Sequence, residues 1–251
     1  TAAAAAALAA GAAVWVSGAT YPTTGSTSVV FDPNDYLCYR RIVAGAGTTP
    51  PYLDDTNWSR VTASAVPTVV VITASGTWPC PAHVRRAKFT VTGGGAGSPT
   101  NSSRTPIAAA GGGTAIAWRA VVPGTVYTNT VGAGGAAGTG ANGNGNAGGT
   151  SSVTGSGFTT ISATGGGGSL SSESWSSAGV GSGGDINLAG GATSCASVGA
   201  VPIPGIGGGS YWGPAGRYGA AGTSYGVGGG GVALGDTTGM AGAAGVIVIE
   251  Y

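Results

Sequence analysis

The sequence predicts a mainly β protein: a small β module, then a β-strand frame carrying packed polyglycine II-type helices, with a short alanine-rich helix at the N-terminus. Three observations predict it. Residues 1–92 hold 6 of the 53 glycines and residues 93–251 hold the other 47, against a usual glycine content of about 7%. This tract closes on Gly245-Val-Ile-Val-Ile-Glu-Tyr251, an alternating strand pattern that marks it as folded. Within it glycine recurs every third residue, at Gly132, Gly135 and Gly138, at Gly213, Gly216, Gly219 and Gly222, and at Gly239, Gly242 and Gly245.

A period of three matches an extended left-handed helix with three residues per turn and about 3.1 Å rise. Glycine on one edge lets such helices approach until their backbones pair. Collagen does not fit, because only 13 of the 251 residues are proline and the period breaks repeatedly. The competing reading is a set of loops that use glycine for its free φ alone. Packed helices are favoured because residues 165–245 otherwise read as one structureless insert, far beyond usual loop lengths.

The elements follow in order. Residues 1–13, almost all alanine, form a helix stub. A helix that short is marginal alone in water, so it reads as the end of a longer helical bundle. It is too short to span a bilayer and lacks the basic start of a signal peptide. Thr1 in place of a start methionine marks a fragment or a processed product. Residues 14–62 form a small module with Asp32, Asp35, Asp54 and Asp55. Residues 63–92 are a connector that becomes strands, Val66–Thr73 and Ala87–Thr92. Residues 93–251 are the glycine-rich domain. Its frame strands are Thr114–Val121, Thr125–Val131, Phe158–Ser162 and Val246–Ile249. Pro123-Gly124 between the first two signals a turn and predicts a hairpin.

Composition narrows the function. Charged residues are 7% and the formal net charge is +1, with no basic stripe, so nucleic-acid binding is not expected. A neutral surface rich in hydroxyls and backbone suits neutral partners. The three cysteines, Cys38, Cys80 and Cys195, make no disulfide framework. They read as thiols of a reducing cytosol, with a Cys80–Cys195 bridge as the alternative. The single histidine, His83, cannot make a two-histidine metal site, and the sequence shows no nucleophile elbow. Glycoside hydrolysis needs paired carboxylates across a cleft, and Glu173, Asp185, Asp236 and Glu250 are the only acids after residue 92. No enzymatic activity, cofactor or metal is expected.

Binding is the class left. Chemically varied segments interrupt the glycine runs. If glycine helices run back and forth, these segments are their turns, and alternate turns gather at one end. Trp15, Trp58, Trp78 and Trp118 read as core residues. Trp175, Tyr211, Trp212, Tyr218 and Tyr225 lack surrounding apolar periodicity and read as contacts to a partner, with Arg217 beside Tyr218 and Arg104 as a weaker addition. Aromatics set among Ser and Gly are also the chemistry of adaptable binding loops.

Two family resemblances follow. Ile72-Thr-Ala-Ser-Gly-Thr-Trp-Pro79 and Val84-Arg-Arg-Ala-Lys-Phe-Thr-Val-Thr-Gly-Gly-Gly95 resemble the opening of the glycine-rich domain at bacteriophage tail-fibre tips. Val126–Gly135, Thr164–Gly168 and Ala241-Gly-Ala-Ala-Gly-Val-Ile-Val-Ile-Glu-Tyr251 are similar to its middle and end. The resemblance spans roughly residues 70–251. It implies a virion adhesin on the distal tail fibre, assembled in the host cytoplasm, whose loops contact a bacterial surface receptor, either glycan or outer-membrane protein. It also implies a homotrimer joined to the rest of the fibre. Trp15, Tyr21, Tyr36, Tyr39, Gly45, Pro50 or Pro51, and Trp58 resemble the pattern of small chitin-type carbohydrate-binding modules. Arg40-Arg41 stands where sugar-binding relatives often carry adjacent aromatics, so the module is either a sugar binder or a shaft domain. A wall or silk-like structural protein would not need the strand frame, and an ice-binding protein would need a flatter, more regular face.

Overall fold

The computed structural model describes residues 13–24, 28–35, 37–61, 68–82, 84–101, 108–171, 175–194, 196–198, 201–203 and 205–251, without the side chains of 194, 196–198 and 201–203. The alanine stub up to residue 12, Tyr36, His83, Arg104, Glu173 and Cys195 lie outside them. The chain divides into two compact units, residues 1–67 with 81–83, and residues 68–80 with 84–251. The strands of the 63–92 connector therefore belong to the second unit. Among the described residues no helix is long and apolar enough to cross a membrane.

The first unit is built from β1 (Ala13–Val14), β2 (Thr20–Tyr21), β3 (Val29–Asp32), β4 (Leu37–Arg41), β5 (Gly45–Ala46) and β6 (Trp58–Arg60), with a 3-10 turn at Pro51–Leu53. Four strands form a sheet in the order β1-β3-β4-β6, and β2 pairs with β5. Tyr21, Val30, Tyr39 and Trp58 make the core, with Trp15 packed against it. Tyr21 meets Trp58 edge-on at 5.1 Å. The period of two along β4 sends Arg40 to solvent and buries Arg41, whose guanidinium lies 4.8 Å from the Trp58 ring centroid. The described aromatics of the carbohydrate-module pattern are thus spent on this core. Burial pushes the Asp35 carboxyl above its ordinary range, against the opposing hydrogen bond from Tyr39.

The second unit contains β7 (Val69–Ile72), β8 (Gly76–Pro79), β9 (Arg86–Thr92), β10 (Thr114–Ala120), β11 (Val126–Thr130), β12 (Ser151–Thr154), β13 (Ile161–Ala163), β14 (Trp175–Ser176), β15 (Gly181–Ser182), β16 (Ile186–Leu188), β17 (Thr193–Ser194), β18 (Ala196–Val198), β19 (Val201–Ile203) and β20 (Val246–Glu250). Two five-stranded sheets form, in the orders β16-β10-β9-β20-β7 and β15-β13-β12-β11-β8. Phe89, Val91, Ile247 and Ile249 of the first join Trp78, Tyr127, Val153 and Ile161 of the second in one core. Tyr127 stacks on Phe158 at 5.4 Å, and Trp78 meets Phe89 edge-on at 5.9 Å.

Three sequence expectations change here. The turn at Pro123-Gly124 exists, with Gly124 at φ +73°, but β10 and β11 do not form a hairpin. β10 pairs with β9 and β11 with β8, so the turn carries the chain from one sheet to the other. The Tyr127 hydroxyl fixes this corner, accepting from Val122 N at 2.9 Å and donating to the Ser156 carbonyl at 3.1 Å. Trp118 is not core: Ala115 and Ala117 face inward, and Trp118 is 48% exposed with Lys88 Nζ 5.8 Å from its ring centroid. Residues 165–245 are not strand-free, since β14 to β19 lie there and β16 extends the first sheet.

The glycine segments between these strands have a regular hydrogen-bond order. Consecutive N–H groups from Gly93 to Ser98 donate to Gly113, Gly149, Ala243, Ala110, Asn146 and Met240. Three neighbours are thus visited in turn, and each is revisited after three residues. Gly239, Gly242 and Gly245 donate to Gly138, Gly135 and Gly132 at 2.8, 3.0 and 2.8 Å. Two of the three glycine runs read from the sequence are therefore bonded to each other, glycine to glycine. A Cβ at Gly95, Gly97, Gly242 or Gly228 would fall well inside 3.0 Å of a neighbouring carbonyl. The third run does not form one segment. It includes the turn at Ser210–Gly213 and bends again after Arg217. Gly219 there has φ +66° with nothing within 4 Å of a Cβ, so its role is a left-handed turn and not close packing.

Candidate binding site

The six aromatic and basic candidates fall into two groups. Tyr211, Trp212 and Tyr225 lie in the turns 210–213 and 223–226, next to the strand frame. The Trp212 indole N–H donates to Thr92 Oγ1 at 2.8 Å, and Thr92 is the buried last residue of β9. Thr92 Oγ1 also shares a 2.9 Å hydrogen bond with Thr114 Oγ1. The second turn is tied to the same end, since Gly112 N donates to Gly226 O and Gly226 N to Ala244 O, both at 2.8 Å. Ser210 joins the two turns. Its Oγ donates to the Tyr225 carbonyl and accepts from Trp212 N.

Trp175, Arg217 and Tyr218 lie away from the frame. Gly219 N donates to Gly231 O, further out along the segment that starts at Gly226. Arg217 and Tyr218 are exposed in that outer turn. Trp175, 60% exposed, pairs through β14 with Ser194 of β17, and Ser176 Oγ bonds the Gly167 carbonyl at 2.6 Å. The candidates therefore occupy both ends of the glycine layers instead of one.

Trp212, Thr223, Ser224 and Tyr225 line an open groove of about 480 Å³. Tyr211 meets Trp212 edge-on at 5.1 Å. Tyr211 and Tyr225 are 50% and 40% exposed, whereas Trp212 is half-buried. The indole N–H is already committed to Thr92, so Trp212 offers a ring face and no free donor. No described lining residue carries a charge. Thr223 and Ser224 belong to one of the short segments that interrupt the glycine runs, Gly222-Thr-Ser-Tyr-Gly226, of which the sequence points only to Tyr225 as a contact.

The described acids of this unit are engaged elsewhere. Arg119 Nη1 meets Asp185 Oδ1 at 2.7 Å and Lys88 Nζ meets Glu250 Oε2 at 2.7 Å. Asp236 accepts from Ala233 N at 2.8 Å. The Trp118 N–H, and then Arg119, hold the Asp185 carboxyl below its ordinary range. No group of three or more metal-ligating side chains occurs among the described residues. Cys80 is buried, its thiol donating to the Val84 carbonyl at 3.4 Å, and burial pushes that thiol's pKa up.

The model of a glycine-rich domain family matches residues 71–251. The chain belongs to that family. The match runs from β7 to the C-terminus and takes in both sheets, every glycine segment and all six candidates. No curated protein matches the chain.

Proposed function

We propose that this chain is the receptor-binding tip of a bacteriophage tail fibre, and that its glycine segments are packed polyglycine II-type helices. The observation that carries the reading is the three-residue hydrogen-bond period of Gly93–Ser98 and of Gly239, Gly242 and Gly245, the period of an extended three-fold helix. Such a scaffold is held mainly by backbone hydrogen bonds. Its connecting turns are free to present Trp175, Tyr211, Tyr218 and Tyr225, which are 40–60% exposed, to a partner. Rigid aromatics on loops over a fixed frame are effective recognition elements. In this reading the chain binds a glycan or outer-membrane protein of the host and does not cleave it, which the engagement of Asp185, Asp236 and Glu250 supports. It acts as a homotrimer joined to the rest of the fibre in the virion.

The test is binding of labelled protein to whole cells of a bacterial panel. Saturable binding to particular strains, lost on adding unlabelled protein, is expected. Binding to no strain, or equal binding to all, would overturn the reading. Light scattering tests the trimer separately, and a monomer at micromolar concentration would remove it.

A further inference from the structure

Resting on that binding reading, and naming the ligand chemistry of one of its two ends, we propose that the groove between turns 210–213 and 223–226 holds a neutral hexopyranose ring. Its volume of about 480 Å³ lies within the roughly 300–1,000 Å³ of small-ligand sites. Its walls combine the two surfaces a sugar requires. Trp212 and Tyr225 supply ring faces, whose negative quadrupole attracts the weakly positive C–H face of a pyranose. Thr223 and Ser224 supply hydroxyls, which both donate and accept. The lining shows no carboxylate or cation, so an acidic or amino sugar would enter without a counter-charge.

The groove is also held in shape before any ligand arrives. Trp212 is anchored to Thr92, the Ser210 hydroxyl bridges to the Tyr225 carbonyl, and a Cβ at Gly213 would sit 2.5 Å from Ser224 Oγ. The two turns are thus packed as closely as glycine permits. A preformed site avoids the ordering cost of closing loops on a ligand. A protein loop would want donors and acceptors spread over a wider surface, whereas this groove is small and lies beside the frame, apart from Trp175 and Tyr218.

Saturation-transfer NMR with the full chain tests the proposal. The probes are methyl glucoside, methyl galactoside, methyl mannoside and methyl N-acetylglucosaminide, with glucuronic acid for contrast. Transfer to at least one neutral glycoside is expected, and none to glucuronic acid. Tyr225→Ala, at an exposed position of the lining, should weaken binding about tenfold or more, as truncating an aromatic anchor does. Val126→Ala, at an exposed position of β11 outside the groove, should leave it unchanged. Transfer to no neutral sugar, equal transfer to the acid, or indifference to Tyr225→Ala overturns the groove assignment. Cells bound without any sugar transfer would point to a protein receptor and leave the fibre-tip reading standing. Sugar transfer with no cell bound would do the reverse.

Discussion

Replacing Gly242 by alanine isolates the close backbone packing from every other role of glycine. Its added Cβ would meet the carbonyls of Gly95 and Ala96, so the two segments must part. Two hydrogen bonds cross that contact or flank it, Gly242 N to Gly135 O at 3.0 Å and Gly95 N to Ala243 O at 2.8 Å. Losing them costs about 1 kcal/mol each, and the overpacking adds about 1–3 kcal/mol. The stiffer unfolded chain returns about 0.5–1 kcal/mol. The net loss is then roughly 2–4 kcal/mol, which for a domain of this size lowers Tm by roughly 10 °C. Two controls grade the effect. Gly219 has open space but φ +66°, so Gly219→Ala costs about 1–2 kcal/mol from the left-handed backbone alone. Gly76, in β8, has open space and no positive φ, so Gly76→Ala should stay within about 0.5 kcal/mol of the parent. Thermal and urea melts of the three variants check the order. If Gly242→Ala melts with Gly76→Ala, the packing argument is wrong.

Trp212→Ala should lower stability by about 1–3 kcal/mol, since it removes a half-buried ring and the Thr92 hydrogen bond, whereas exposed Tyr218→Ala should shift it by less than about 0.5 kcal/mol; urea melts separate them. Tyr127→Phe strips the Val122 N–H and Ser156 carbonyl of their shared partner and should cost about 1–3 kcal/mol, read as a lower urea midpoint with unchanged m. The folded Asp185 pKa lies below its ordinary 3.8, so its contribution to stability is present above the unfolded value and is lost as pH falls through the lower, folded one. Carboxyl NMR should place its midpoint below 3.8, and Asp185→Asn should flatten that part of the acid-denaturation curve.

The strand frame was legible because Arg86–Thr92 alternates polar and apolar residues and Val246–Glu250 is a β-branched apolar run, buried on both faces inside its sheet. Its pairing was not. A Pro-Gly turn signals that the chain reverses, but whether the flanking strands bond to each other depends on competing partners. Here β9 and β8, distant in sequence, take them. Trp118 reads as core from its mid-strand position, but the pleat gives the inward positions of β10 to Ala115 and Ala117. Strands of two or three residues, such as Ile186–Leu188, are too short to show any period. The glycine spacing indicated which positions pack closely in 132–138 and 239–245, yet it could not distinguish Gly216, whose Cβ would crowd Gly228 O at 2.5 Å, from Gly219, which faces open space. Trp175, Tyr211, Tyr218 and Tyr225 are exposed, in keeping with the lack of apolar periodicity around them. The anchoring of Trp212 on Thr92, 120 residues away, left no local mark.

The three-residue bonding period also sets which length changes the domain can absorb. A one-residue slip in a β-strand exchanges its two faces. A one-residue deletion within 132–138 or 239–245 would instead turn everything beyond it by a third of a revolution. Ala133 or Ala243 would then swing toward a carbonyl where glycine had stood. Removing three residues restores the phase and only shortens the segment. The exposed turns at 141–142 and 234–236 lie outside this constraint. Insertions there can take any length, whereas the segments should vary only in whole triplets, so a lineage of such proteins would diversify at its tips while its body stayed in step.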